Sequence, residues 1–224
     1  MSSKTILTAT KSPALPYSPS AYSPNAADTT NNILRQYFLT IDGVTGSLLS
    51  PSGGRFLSSP HIAASDAVNQ YAIATNTPTK VLWNTLDSGL GFLLNVDSTA
   101  TPEYSGVYKI DYSLQFVNTD SQIQDVYVWL AINGVNLPSS ASKFSITNRH
   151  GSLDGLIVSY SSVTFKAEEG DVVALYWATT LAYNPTGPAD GVYIQASPAQ
   201  VSPFAVPSIP SAIGSFVMVS GEPL

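Results

Sequence analysis

The sequence predicts an all-β fold, a jelly-roll-like β-sandwich of about eight strands with an extended N-terminal arm. Three observations carry this reading. Tyr108, Ile110, Tyr112, Leu114 and Phe116 alternate with Lys109, Asp111, Ser113 and Gln115, the two-residue period of a strand with one dry and one wet face. The runs QDVYVWLAI at 124–132 and VVALYWAT at 172–179 are apolar at both parities, so something covers each of them on both sides. Turn residues recur about every ten positions along the second part of the chain, the spacing of short antiparallel strands, with no helical period between them.

Taken in order, residues 1–32 form the arm. They are rich in Ser, Thr, Ala, Asn and Pro, and carry only Lys4, Lys11 and Asp28 as charges. Tyr17-Ser18-Pro19 recurs as Tyr22-Ser23-Pro24. Pro13, Pro16, Pro19 and Pro24 argue for extended chain and against helix. Such a segment becomes ordered on a partner, with Tyr17 and Tyr22 as its aromatic anchors.

Residues 33–66 read as a small β and loop segment that contacts a neighbour. ILRQYFLTID is strand-like, although Tyr37, Phe38 and Leu39 in succession break the alternation. Gly43, Gly46 and the run SPSGG supply turns. Ile33, Leu34, Tyr37 and Phe38 are its candidate contacts, through addition of a strand to a neighbour's sheet edge.

The sandwich itself is assigned to 67–224. Strands are expected at 81–83, 91–96, 106–117, 125–132, 144–146, 156–165, 172–179, 191–196 and 213–219, with two four-stranded sheets fitting the count best. The strands around Trp129 and Trp177 sit centrally. Their second faces, at Tyr127, Trp129 and Tyr176, are the expected subunit interface.

Composition removes several classes of function. The net charge is −6 with no basic block, which argues against a nucleic-acid partner, since that affinity comes mainly from Lys and Arg on phosphates. The chain has no cysteine, hence no disulfide framework or thiolate metal site. No run approaches a membrane span, and no signal-like segment follows Lys4, so synthesis in a cytoplasm is expected. Charged residues make up 11%, far below the usual ~25%. That suits a surface covered in an assembly, because desolvating charge is costly.

No motif supplies chemistry. His61 and His150 stand apart, with no second ligand at metal spacing. Glu168, Glu169 and Asp171 read as a solvated hairpin turn rather than a calcium loop. Asp120 and Asp125 flank a loop without an identifiable catalytic partner. Trp83, Trp129 and Trp177 read as core or interface. No catalytic residue, metal ligand or cofactor is expected.

The order GVYKIDYSLQF, DVYVWLAING, EEGDVVALYW and PSIPSAI, at 106–116, 125–134, 168–177 and 207–213, resembles the jelly-roll modules of tailed-phage virion proteins, namely head decoration or cement proteins and fibre-like knobs. Many of those carry basic residues before the Asn-Gly, where this chain has Ala131 and Ile132. The resemblance implies a homotrimer without enzymatic activity. The expectation is a capsid decoration protein made in the host cytoplasm and placed on the virion surface. Its partners are itself and the major capsid protein, reached by the arm. The alternative is a host-recognition knob or lectin that binds surface glycans. The absence of heptads upstream of the sandwich favours the head over a tail fibre.

Overall fold

The structure is a computed structural model and describes residues 12–17, 21–49, 59–187 and 190–221. The chain divides into two units, Met1–Leu57 with Gly221–Leu224, and Ser58–Ser220.

The described part of the first unit holds one helix preceded by irregular chain. Residues 12–17 have no regular structure, and α1 (Pro24–Leu49) follows. This overturns the extended reading of 24–32, the strand-like reading of 33–42 and the turns expected at Gly43 and Gly46. The physical reason lies at Ser23-Pro24. Proline is well suited to the first position of a helix, where its missing N–H has no partner to lose. Ser23 precedes it as the cap, its Oγ accepting from Ala26 N at 3.4 Å and its carbonyl from Ala27 N at 3.2 Å. Leu34, Tyr37, Ile41 and Val44 then fall three and four residues apart, a helical spacing that the run Tyr37-Phe38-Leu39 hides. The turn expected at 51–54 lies outside the described residues.

The second unit is the sandwich. Its strands are β1 (His61–Asp66), β2 (Gln70–Tyr71), β3 (Thr79–Lys80), β4 (Thr85–Leu90), β5 (Phe92–Leu94), β6 (Ala100–Pro102), β7 (Gly106–Asn118), β8 (Gln124–Ile132), β9 (Val135–Asn136), β10 (Ser142–Ile146), β11 (Gly155–Ala167), β12 (Val173–Thr179), β13 (Val192–Ile194) and β14 (Ala212–Gly221). Sheet A runs β2-β13-β7-β14-β1-β4 with β11 also on β7; sheet B runs β10-β8-β12-β6-β5 with β3 on β12 and β9 on β8. The chain changes sheet between β7 and β8, between β10 and β11, and between β11 and β12. This is the double-sheet arrangement of a jelly-roll-like β-sandwich.

Eight strands are five residues or longer: β1, β4, β7, β8, β10, β11, β12 and β14. Five of these lie in sheet A and three in sheet B, in place of the expected four and four. The sandwich also starts earlier than residue 67, with β1. HIAASD is a weak apolar signal, yet Ile62 and Ala64 point inward between β14 and β4. Residues 81–83 are not a strand, although Val81 N donates to Leu175 O at 2.8 Å.

The core lies between the sheets. β7 turns Tyr108, Ile110, Tyr112, Leu114 and Phe116 inward, against Val126, Val128 and Leu130 of β8 and Val173, Leu175 and Trp177 of β12. Phe116 and Trp177 meet at 5.5 Å between ring centroids. Each such large apolar side chain contributes about 1.5–3 kcal/mol by leaving water.

Candidate interaction surfaces

Strand pleating fixes what the sandwich shows outward. On sheet B, Trp129 pairs with Tyr176 and Tyr127 with Ala178 across the β8–β12 ladder. Their inward neighbours Val128, Leu130, Leu175 and Trp177 are buried, so Tyr127, Trp129 and Tyr176 share the outer face. Trp129 and Tyr176 stack at 6.0 Å with 18° between planes. The Trp129 indole N–H donates to Asn136 Oδ1 at 2.8 Å, which fixes its orientation. Lys143 lies 5.7 Å from the Tyr127 ring centroid and pairs with Asp125 at 2.7 Å. Lys80 pairs with Asp97 at 2.8 Å and sits opposite Tyr176 on β3. The three aromatics thus form one patch with a charged rim. Bonds from Lys143 and then Ser145 hold the Asp125 carboxyl below its ordinary value.

Sheet A has a wider outer face. The β7–β11 ladder pairs Val117 with Leu156, Gln115 with Val158 and Ser113 with Tyr160; Val117 is buried, and the other five stand on the outer face. Leu156 is 68% exposed, Val158 58% and Tyr160 63%. Ile213, Val217 and Val219 of β14 continue the same face and are also exposed. Its ion pair, Lys109 with Asp111 at 2.9 Å, is internally neutralised, and Tyr160 donates to Asp111 at 3.0 Å. The sequence reading did not pick out this face. Its signal was present in LIVSYSSVTF, where Leu156, Val158 and Tyr160 occupy one parity while Ile157, Val163 and Phe165 occupy the other.

The arm residues divide. Tyr17 is fully exposed and Tyr22 nearly so. Ile33, Leu34 and Tyr37 are half-buried on α1, and Phe38 is exposed beside the Tyr37 ring at 5.9 Å. They lie on a helix, so adding ILRQYFLTID as a strand to a neighbour's sheet is excluded in this conformation.

The titratable groups are engaged locally. Asp120 accepts from Gln124 Nε2 at 2.6 Å and Ser121 N at 2.8 Å. Asp171 accepts from Asn133 Nδ2 at 2.7 Å and Glu168 N at 2.8 Å. The His61 ring spans Ser59 O at 2.9 Å and Ser88 Oγ at 3.1 Å. His150 lies in a short bridge to Leu153. Among the described residues no group of three His, Asp or Glu is placed to hold a metal ion. Asp66 is the buried acid. Burial raises its carboxyl above the ordinary value, against a lowering bond from Val68 N. Asn84 Nδ2 at 2.7 Å and Gln70 Nε2 at 3.1 Å also donate to it, which ties β1 to the segments before and after β3.

No family model matches the chain, and no curated protein matches it. Among solved structures, the globular domain of zebrafish complement 1qA protein is similar at 12% identity, with a TM-score of 0.43, over 73% of this chain and 99% of that chain.

Proposed function

We propose that the chain is a non-enzymatic structural protein of a tailed-phage virion. It works as a homotrimer on the capsid surface and is held to the major capsid protein by its N-terminal segment. The observation that carries the self-association is the outer face of sheet A, where Leu156, Val158, Ile213 and Val217 stand exposed around one neutralised ion pair. Apolar patches rimmed by polar residues mark interaction sites. The face carries more exposed apolar residues than the Tyr127–Trp129–Tyr176 patch, which supports a trimer contact on sheet A beside the one expected at the aromatic patch. Attachment through the arm is supported by Tyr17 and Tyr22, which stand wholly or almost wholly exposed.

Co-sedimentation with purified heads tests the attachment. Full-length protein pellets with heads, and a chain lacking residues 1–23 stays in the supernatant. Equal pelleting of the two sinks the arm model. Immunogold labelling of virions separates head from tail.

A second reading, a host-recognition knob, is favoured by the oriented Trp129–Tyr176 stack, because such aromatic faces pack against apolar sugar faces. It also gains from α1, since a helix now precedes the sandwich where none was expected. Saturable binding on a glycan array, lost in Trp129→Ala, would put this reading first.

A further inference from the structure

α1 carries a seven-residue repeat. Ala27, Thr30, Leu34, Tyr37, Ile41 and Val44 alternate at spacings of three and four, and the sequence continues the spacing to Leu48. In heptad terms Ala27, Leu34 and Ile41 are a positions, and Thr30, Tyr37 and Val44 are d positions. All six are half-buried in the single chain. A straight helix turns every 3.6 residues, so a stripe repeating every 3.5 stays on one side only if the helix winds around a partner of the same pitch.

Charge identifies the partner. The charged residues of α1 are Asp28, Arg35 and Asp42, seven apart, and all three fall at the outward b position. The flanks of the seam, Asn31, Phe38 and Thr45 on one side and Ala26, Ile33 and Thr40 on the other, are uncharged. Identical copies therefore meet without like-charge repulsion, and a charged partner finds nothing to pair with. We infer that α1 is a coiled-coil segment whose partners are the α1 helices of two further copies of this chain.

The number three follows from the seam. Leu34 at a and β-branched Thr30 and Val44 at d depart from the β-branched-a, leucine-d pattern of two-stranded coils, which Ile41 at a alone would fit. Ile33 and Phe38 widen the stripe on both sides, and a third helix covers that width. A closed ring of three identical chains has a three-fold axis, so the helices run parallel and in register. This assignment does not depend on the virion reading or on the outer face of sheet A.

The absence of cysteine permits a direct test on the full chain. Thr30→Cys places a thiol at a d position and Asn32→Cys places one at the outward f position. Under mild oxidation the first forms covalent dimers within each trimer, at least tenfold faster than the second. Adding Ile41→Asp to Thr30→Cys abolishes the cross-link. Adding Leu39→Asp, an equally severe change at an exposed f position, leaves it intact. Fluorescence of the three sandwich tryptophans reports that the rest of each variant is folded. Equal cross-linking at positions 30 and 32, or equal loss with Leu39→Asp and Ile41→Asp, overturns the coiled coil.

Discussion

Two strand glycines of the sandwich and the two glycines of the helix differ in what surrounds them. A methyl group added at Gly155 would meet the Thr147 carbonyl oxygen at 1.8 Å, and one at Gly214 would meet the Trp83 ring at 2.7 Å. At Gly43 and Gly46 on α1 it would meet nothing within 4 Å. Within the sandwich this tightness belongs to particular strand positions, since a methyl group at its turn glycines Gly134, Gly151 and Gly170 would also meet nothing within 4 Å. The sandwich draws its stability from an internal core, whereas a lone helix takes most of its stability from what it packs against. The core of the sandwich is supplied by one copy, whereas the packing surface of α1 is the one inferred above.

The sharpest way to break this contrast is Gly155→Ala. Backbone presses on backbone there, so a loss of about 3 kcal/mol is expected, read by urea unfolding through Trp83, Trp129 and Trp177, all of which lie in the sandwich. An unchanged midpoint would show that the strand start is looser than its geometry. Gly214→Ala comes next, at about 1–3 kcal/mol, because a ring yields more easily than a carbonyl. Pairing it with Trp83→Leu should recover part of that loss, and strict additivity of the two changes would deny the contact. Gly43→Ala and Gly46→Ala act in the other direction. Each should stabilise α1 by about 0.5–1 kcal/mol, seen as a higher melting point in far-ultraviolet circular dichroism while the tryptophan transition stays fixed. The smallest effect belongs to Asp125. Its carboxyl is held below the ordinary 3.8, so its contribution is present above that pH and is lost as pH falls through the lower folded value. Wild type and Asp125→Asn should therefore converge in stability in acid and separate near neutrality; a constant offset across pH would remove Lys143 and Ser145 as the cause.

The sandwich was legible wherever side chains alternate cleanly. The alternation of β7 is plain in the sequence, and the double parity of β8 and β12 is enough to place Tyr127, Trp129 and Tyr176 on one face. β1 was missed because two small alanines and a histidine carry little apolar signal, and its partner β14 lies more than a hundred residues away. The helix was misread for a local reason. Four prolines were counted as breakers, and the last of them, Pro24, is the starter. The wide face of sheet A was spelled out in β11 but needed the register with β7 to decide which parity turned outward.

The place of β14 has a consequence for how the chain is built. It lies between β7 and β1 in sheet A, pairing Phe216 with Ile62 across 154 residues. During synthesis the earlier strands of that sheet leave the ribosome without the one that joins them. Until β14 arrives, β1 with β4 and β7 with β11 are separate ribbons, each showing an unsatisfied edge. The fold therefore closes late, through the contact with the longest loop to order. A stop codon before residue 212 would leave not a slightly shorter sandwich but a sheet in two pieces.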